Sequence, residues 1–451
     1  MRKKKNSFIW NGNVRDAALS ILLSVDQNQA YSNLLLNQTI NKYQIEAKNR
    51  ALLTELTYGT LQYKYTLDYY LEPFIRGKID PWVRWLLRLS VYQIVYLSKI
   101  PEHAIVNEAV EIAKRRGHKG IASMVNGILR SILRMGIPSL DKIKDPIDRI
   151  AIETSHPRWI VEMFAEMYGL ETTMDMLKAN NLPPKQTVRV NTLKATVEEA
   201  IQLLADEDVQ AVQSKVIPQC LYLLSGQAAR TEAFKNGIIT IQDESSMMPS
   251  IALNPKPGDR VLDLCAAPGG KTTHLAEIMK NEGSILATDI HPHKLDLIGE
   301  NCARLGITIV DTAPIDGRKA AELLQPESFD AILVDAPCSG LGVIRRKPDI
   351  KYTKREEDFD RLHEIQTELL NNAVALLKPG GRLVYSTCTV NKKENEETVE
   401  ALLASHPEMK LAPIQHLPVS LLEKQRNGML QVFPQDFGSD GFFVALFEKA
   451  E

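Results

Sequence analysis

From Val14 to Met135 apolar residues recur at three- and four-residue spacing, as in Ala18, Leu19, Leu22 and Leu23 and again in Leu86, Leu89, Val91 and Ile94. That is the period of helices with one buried face, and it predicts an all-helical bundle. Pro, Lys and Asp crowd the stretch from Ile137 to Pro146, which interrupts the period and predicts a linker. Beyond it the pattern changes. Glu153 to Leu177 and Val197 to Leu204 read as helices, while Thr187 to Asn191, Cys220 to Leu224 and Gly237 to Gln242 read as short strands. From Pro257 onward apolar strands alternate with helices, the signature of a doubly wound sheet. The expected organisation is multidomain: an all-α N-terminal bundle over residues 1–140, a small α/β, RRM-like linker region over 150–245 that binds RNA, and a Rossmann-like doubly wound α/β domain over 246–451.

The sheet gives the polar positions their meaning, because ligands of open α/β sheets lie beyond the carboxyl ends of the strands. The strand Arg260 to Leu264 runs into the loop Cys265-Ala266-Ala267-Pro268-Gly269-Gly270-Lys271, and Thr272 to Met279 continues as a helix. Free amides at a helix start favour an anionic group, such as the carboxylate of S-adenosylmethionine. The loop also resembles a phosphate cradle: Gly270-Lys271-Thr272 ends like a Walker A motif, and Ala331 to Asp335 mimics a Walker B strand. A P-loop ATPase acting on RNA is therefore the competing reading. Against it, Cys265 stands where that motif needs glycine, and Pro268 removes an amide donor. Three acids weigh the same way. Asp289 ends the strand Ile285 to Asp289, about twenty residues past the glycines, the offset at which a carboxylate grips ribose hydroxyls. Asp316 follows a third strand, Thr308 to Val310, and Asp335 ends a fourth.

Two cysteines extend the series, Cys338 in Asp335-Ala336-Pro337-Cys338 and Cys388 in Ser386-Thr387-Cys388. Carbon 5 of cytosine is a poor nucleophile, and a thiolate added to carbon 6 makes it electron-rich enough to be alkylated. Undoing the adduct requires removal of the carbon 5 proton, work for a second group. A free thiol, with a pKa of about 8.5, is only a few per cent ionised at neutral pH, so either cysteine needs activation. Asp335, protonated or sharing a proton with cytosine N3, would draw electrons from the ring. The residues leave the attacking thiol open, since Pro337-Cys338 resembles the nucleophile of DNA cytosine-5 methyltransferases. Cys220, Cys265 and Cys302 read as small buried hydrophobes.

Composition narrows the setting. The 451 residues are 44% hydrophobic and 24% charged, with a formal net charge of -2, so a polyanion must be met by local basic patches. Candidates are Arg2-Lys3-Lys4-Lys5, Arg345-Arg346-Lys347, and Lys114, Arg115, Arg116, Lys119, Arg130 and Arg134, which within their own stretch face only Glu111. Asn6, Ser7, Asn11 and Asn13 occupy the place of a signal-peptide core, and no apolar run reaches the length of a membrane span. Five cysteines without a CxxC pair suit neither a disulfide framework nor a metal site, and His291 and His293 have no completing ligands. A cytoplasmic protein without metal is expected.

Leu86 to Tyr96, Pro101-Glu102-His103-Ala104, Val106-Asn107-Glu108-Ala109-Val110 and Val125-Asn126-Gly127-Ile128-Leu129-Arg130 resemble the NusB-like RNA-binding domain. The second half, including the ending Phe433-Pro434 to Asp440-Gly441-Phe442-Phe443, resembles the Sun family of RNA (cytosine-5) methyltransferases. The resemblance implies that Cys265, Ala266, Ala267, Pro268, Gly269, Gly270 and Lys271 contact S-adenosylmethionine, that Asp289 holds its ribose and that Asp316 lies by the adenine. It also implies that Asp335 belongs to the active site and donor pocket, that Cys388 is the nucleophile, and that Cys338 serves product release. A 16S ribosomal RNA substrate and a monomer follow as expectations. A non-catalytic NusB-like RNA-binding factor, the remaining alternative, would need neither cysteine.

Overall fold

The computed structural model of the chain describes Trp10, residues 12–28 and residues 32–451. The basic run Arg2-Lys3-Lys4-Lys5, with Asn6, Ser7 and Asn11, lies outside the described residues. Two compact units result. One comprises the chain up to Asn181 together with Arg346–Thr353, the other Leu182–Arg345 and Lys354–Glu451.

The first unit is helical. It contains α1 (Val14–Asn28), α2 (Ser32–Lys42), α3 (Ala47–Gln62), α4 (Lys64–Leu71), α5 (Pro81–Tyr96), α6 (Glu102–Arg116), α7 (Lys119–Met135), α8 (Pro146–Thr154), α9 (Arg158–Tyr168) and α10 (Leu170–Asn180). The periodic residues Leu19, Leu22, Leu86, Leu89 and Val91 fill its core. On α7, Val125, Leu129 and Ile132 are buried while Lys119, Arg130 and Arg134 are exposed. The basic stretch is less unopposed than its local sequence suggests, because the fold brings the buried Asp16 of α1 against it. Arg116 pairs with Asp16 at 2.6 Å, Arg115 lies 3.7 Å from the same carboxylate, and Lys114 pairs with Glu111 at 2.6 Å.

After Arg345 the chain leaves the second unit, contributes Arg346–Thr353 to the helical one and returns. The ammonium of the buried Lys351 donates to the carbonyls of Gln62 and Ser155, each at 3.0 Å, and the Tyr352 hydroxyl to the carbonyl of Leu61 at 2.5 Å. Of the basic run Arg345-Arg346-Lys347, Lys347 is exposed and Arg346 half-buried. Arg345 is buried, its guanidinium donating to the carbonyls of Gly438 and Pro434 at 2.6 and 3.0 Å.

The second unit holds two sheets. β1 (Gln186–Val190), β2 (Ala211–Gln213), β3 (Cys220–Leu223) and β4 (Ile239–Ile241) pair in the order β2-β3-β1-β4, all antiparallel. With helices Val197–Asp206 and Glu232–Lys235 between β1 and β2 and between β3 and β4, this is the βαββαβ arrangement of RRM-like and ferredoxin-like folds. The larger sheet contains β5 (Arg260–Asp263), β6 (Ser284–Asp289), β7 (Val310–Pro314), β8 (Phe329–Asp335), β9 (Leu377–Thr387), β10 (Met409–Leu411), β11 (Met429–Val432) and β12 (Phe442–Lys449). β9-β8-β5-β6-β7 are parallel, and β12 adds antiparallel to β9, itself flanked by β10 and β11. Alternation along the strands sends Val261, Leu333 and Val384 to one apolar layer and Leu262, Ile332 and Tyr385 to another, so both faces are covered, as a doubly wound sheet requires. The third strand falls two residues later than its apolar residues predict. β7 is the sheet's edge, mostly exposed, and hydrophobicity marks it weakly. Among the described residues no helix is long and apolar enough to cross a membrane.

Candidate active site

β5 lies between β6 and β8, the point where the parallel sheet grows outward in both directions and where open α/β sheets form a crevice. A cleft of ≈ 550 Å³ opens there, lined by Gln242, Ser246, Asp263, residues 265–268, Gly270, Lys271 and Asp335. The helix after the loop starts at Gly270, two residues earlier than the sequence predicts, so its first amides border the cleft.

Of the predicted strand-end acids, Asp335 borders the cleft together with Lys271. Asp335 accepts from the Lys271 ammonium at 2.7 Å on Oδ2 and from the Ser386 hydroxyl at 2.8 Å on Oδ1. Burial works against the charge on Lys271, yet the adjacent Asp335 carboxylate holds its pKa above the usual lysine range. The same ammonium stands 5.2 Å from the centre of the Phe442 ring. Both oxygens of Asp335 are thus engaged, one by Lys271 and one by Ser386.

Cys338 and Cys388 lie just beyond β8 and β9, which pair as parallel neighbours, and their Sγ atoms are 3.3 Å apart. The contact with Cys388, followed by burial, pushes the Cys338 thiol well above the ordinary range. The loop after Cys338 is held tightly: the Gly342 amide donates to the carbonyl of Cys388 at 3.0 Å, and its carbonyl accepts from the Gly441 amide at 2.8 Å. A Cβ on Gly342 would stand 2.1 Å from the Gly441 carbonyl oxygen, so no larger residue fits.

Asp289 and Asp316 sit at the ends of β6 and after β7 but outside the residues lining the cleft. Asp289 accepts from the His291 amide at 2.9 Å. Asp316 grips the guanidinium of Arg318 with both oxygens, at 3.0 and 2.6 Å, which holds its carboxyl below the usual range.

Two buried charges escaped the sequence reading. Asp263, at the end of β5, gives Oδ2 to the Thr272 hydroxyl at 2.7 Å, while its buried Oδ1 has no partner. Burial pushes it up to about 7. Arg189 of β1 is fully buried; it pairs with Glu277 at 2.7 Å and donates to the carbonyl of Gly270 at 2.8 Å and the Thr273 hydroxyl at 3.0 Å, and it also contacts Gln242. The small sheet thereby fixes the start of the cleft helix. The signal in both cases is a charge inside an apolar strand, Val261-Leu262-Asp263-Leu264 and Val188-Arg189-Val190. Among the described residues no group of three or more His, Cys, Asp or Glu could hold a metal ion.

Comparison with known proteins places this geometry. Residues 250–448 match the model of the 16S rRNA methyltransferase RsmB/F family, residues 12–134 that of the NusB family, and residues 156–230 that of the ferredoxin-like domain of RsmF/B-like methyltransferases. The crystal structure of PH0851 superposes with a TM-score of 0.81 at 32% identity, covering 99% of this chain and 100% of that one. The structure of NSun6 from Pyrococcus horikoshii with SFG, an S-adenosylmethionine analogue, superposes with a TM-score of 0.60 at 25% identity over 65% of this chain and 98% of that one. A protein described as probable ribosomal RNA small subunit methyltransferase B from Bacillus subtilis (strain 168) is 52% identical over 97% of this chain and 98% of its own length. The chain thus belongs to the ribosomal RNA small subunit methyltransferase B family.

Proposed function

We propose that the protein, a cytoplasmic monomer, transfers a methyl group from S-adenosylmethionine to carbon 5 of a cytosine in 16S ribosomal RNA, through a transient bond between Cys388 and carbon 6. The observation that carries this reading is the pair of thiols 3.3 Å apart beside the Asp335–Lys271 ion pair. An ATPase has no use for such a pair, nor has a factor that only binds RNA.

The residues around the cleft fit the donor. A helix start suits its carboxylate, Asp263 lines the same cleft, and Asp289 and Asp316, at the ends of the next two strands, follow as contacts for ribose and adenine. When bound, S-adenosylmethionine supplies an electrophilic methyl group. The chain's own residues do the rest. Asp335, held in place by Lys271 and Ser386, shares a proton with cytosine N3 and draws electrons from the ring. The Cys388 thiolate adds to carbon 6, and carbon 5 becomes the nucleophile that takes the methyl. Beforehand the two sulfurs are in contact at 3.3 Å, and that contact, with burial, holds the Cys338 thiol above its ordinary range. Once the Cys388 sulfur is committed to the C–S bond the contact no longer holds the proton of Cys338, which passes to solvent and leaves a thiolate. Its Sγ can then take the carbon 5 proton, and the C–S bond breaks to release methylated cytosine.

The helical unit, by its NusB likeness, and the RRM-like sheet would hold the RNA through phosphates. Mapping 5-methylcytosine in 16S ribosomal RNA from a strain lacking the gene tests the whole reading. Loss of one modified cytosine is expected, and an unchanged map would overturn it.

A further inference from the structure

Behind the two cysteines lies a carboxylate that neither touches the cleft nor pairs with a base. Glu394 is fully buried, in the turn that follows β9. Its Oε1 accepts from the Ser339 amide at 2.7 Å and from the Gln366 side-chain amide at 3.3 Å. Its Oε2 accepts from the hydroxyls of Ser339 at 2.5 Å and Thr389 at 3.3 Å. The two hydroxyls are 2.8 Å from each other, and Gln366 also donates to the carbonyl of Pro337 at 3.0 Å. Ser339 follows Cys338 and Thr389 follows Cys388, so one side chain ties together the loops that carry the two thiols. The adjacent Asn395 completes the frame on one side: it accepts from the Thr387 hydroxyl at 2.6 Å and donates to the carbonyl of Thr389 at 3.1 Å, straddling Cys388.

Four donors converge on two oxygens, and a carboxylate is the side chain that accepts from all of them at once. Burying a carboxylate is costly unless its hydrogen bonds are complete, and here burial raises the pKa of Glu394 while the bonds from Ser339 pull it back. Nothing in the packing of the sheet requires a charge at this point. The loops it joins come from different strand ends, and the Gly342 amide and the thiol contact link them as well.

We infer that Glu394 is a positioning residue for the reaction, setting the distance between Cys338 and Cys388 by clamping Ser339 to Thr389. This rests on the reading of the two thiols as nucleophile and proton acceptor. The spacing matters because both sulfurs must reach adjacent carbons of one ring, carbon 6 and carbon 5, in succession.

The separation of the thiols can be read without RNA. Equilibrating the full-length protein with mixtures of reduced and oxidised glutathione joins the pair: two thiols and one glutathione disulfide give one protein disulfide and two glutathione thiols. The equilibrium constant reports the effective concentration of one thiol at the other and, unlike a rate, does not depend on how readily either thiolate attacks. Glu394→Ala should lower this constant at least tenfold, with binding of S-adenosylmethionine within twofold of wild type. Glu394→Gln should recover to within about threefold, because its oxygen keeps the Ser339 amide and the two hydroxyls can turn to accept from its NH₂ group. Turnover on target RNA should follow the same order, with KM for the donor unchanged. A constant unchanged in Glu394→Ala overturns the inference, as does Glu394→Gln behaving no better than Ala. Should Glu394→Ala fail to fold, Ser339→Ala carries the test: it removes one arm of the clamp and must lower the constant in the same direction, and no change there is equally fatal. A wild-type protein that makes no 5-methylcytosine, while the thiol equilibria behave as expected, would sink the reaction proposed above and leave the clamp standing.

Discussion

For Cys338 and Cys388 the proposed roles diverge although their chemistry is the same. Cys388→Ala should abolish both methyl transfer and any covalent RNA complex. Cys338→Ala should permit attack and methylation but slow elimination, so that a protein–RNA species resistant to denaturant builds up on a gel. The reverse pattern would hand the attack to Cys338. Asp263 makes a second prediction, about pH. Its folded pKa of about 7 lies above the ordinary 3.8, so the folded protein holds a proton that the unfolded chain releases. Its contribution to stability is fully present below about pH 4 and lost as pH rises through 7. Asp263→Asn should flatten that part of the profile, a difference of up to about 4 kcal/mol, measured as unfolding midpoints from pH 4 to 8. At this scale the sequence was legible where a residue ends a strand, as with Asp335 and Cys388. It was silent where a residue acts through a partner: that Lys271 meets Asp335 depends on two loops 64 residues apart.

Elements carry the next set of consequences. The helix Gly270–Ile278 begins the cleft, and its first turns are fixed from outside by Arg189 of β1. Replacing Arg189 by Met strands Glu277, a carboxylate with a side chain only 2% exposed, and removing one partner of a buried pair costs about 3–5 kcal/mol. Urea unfolding should show that loss, and Arg189→Met combined with Glu277→Leu should regain much of it; a single variant as stable as wild type would deny the clamp. On the helical unit the two groups of basic residues separate. Arg116→Ala removes the partner of Asp16 and should act mainly on stability. Changing Lys119, Arg130 and Arg134 together to Ala should leave the fold intact, weaken RNA binding and lower its salt dependence by up to about three phosphate contacts. An unaltered salt slope would leave that face merely solvated. The helical period over 14–135 and the parallel strands were readable because both rest on apolar repetition. The edge strand β7 and the opposition of Asp16 to Arg116 were not, the first because an edge is half polar, the second because it joins distant turns of chain.

For the whole molecule, the path of the chain matters more than any single contact. The helical unit includes Arg346–Thr353, whose Lys351 supplies donors to the carbonyls of Gln62 and Ser155. Residues 1–181 produced alone should therefore be less stable by roughly 1–3 kcal/mol for each buried carbonyl left without a donor. Appending residues 346–353 through a flexible linker should restore the difference in thermal unfolding; a fragment of unchanged stability would show the segment to be dispensable. Hydrophobic periodicity could not have revealed this, since Lys351 is among the residues least expected inside. The excursion also sets a timetable. During synthesis the helical unit emerges first, yet its last piece is made only when 353 of the 451 residues have been joined. Until then the slot is open, although the strands β5 to β8 that precede that piece have already been synthesised. Nascent chains arrested before and after residue 353 should differ in protease resistance of the helical unit, so that this N-terminal unit is completed from the middle of the one that follows it.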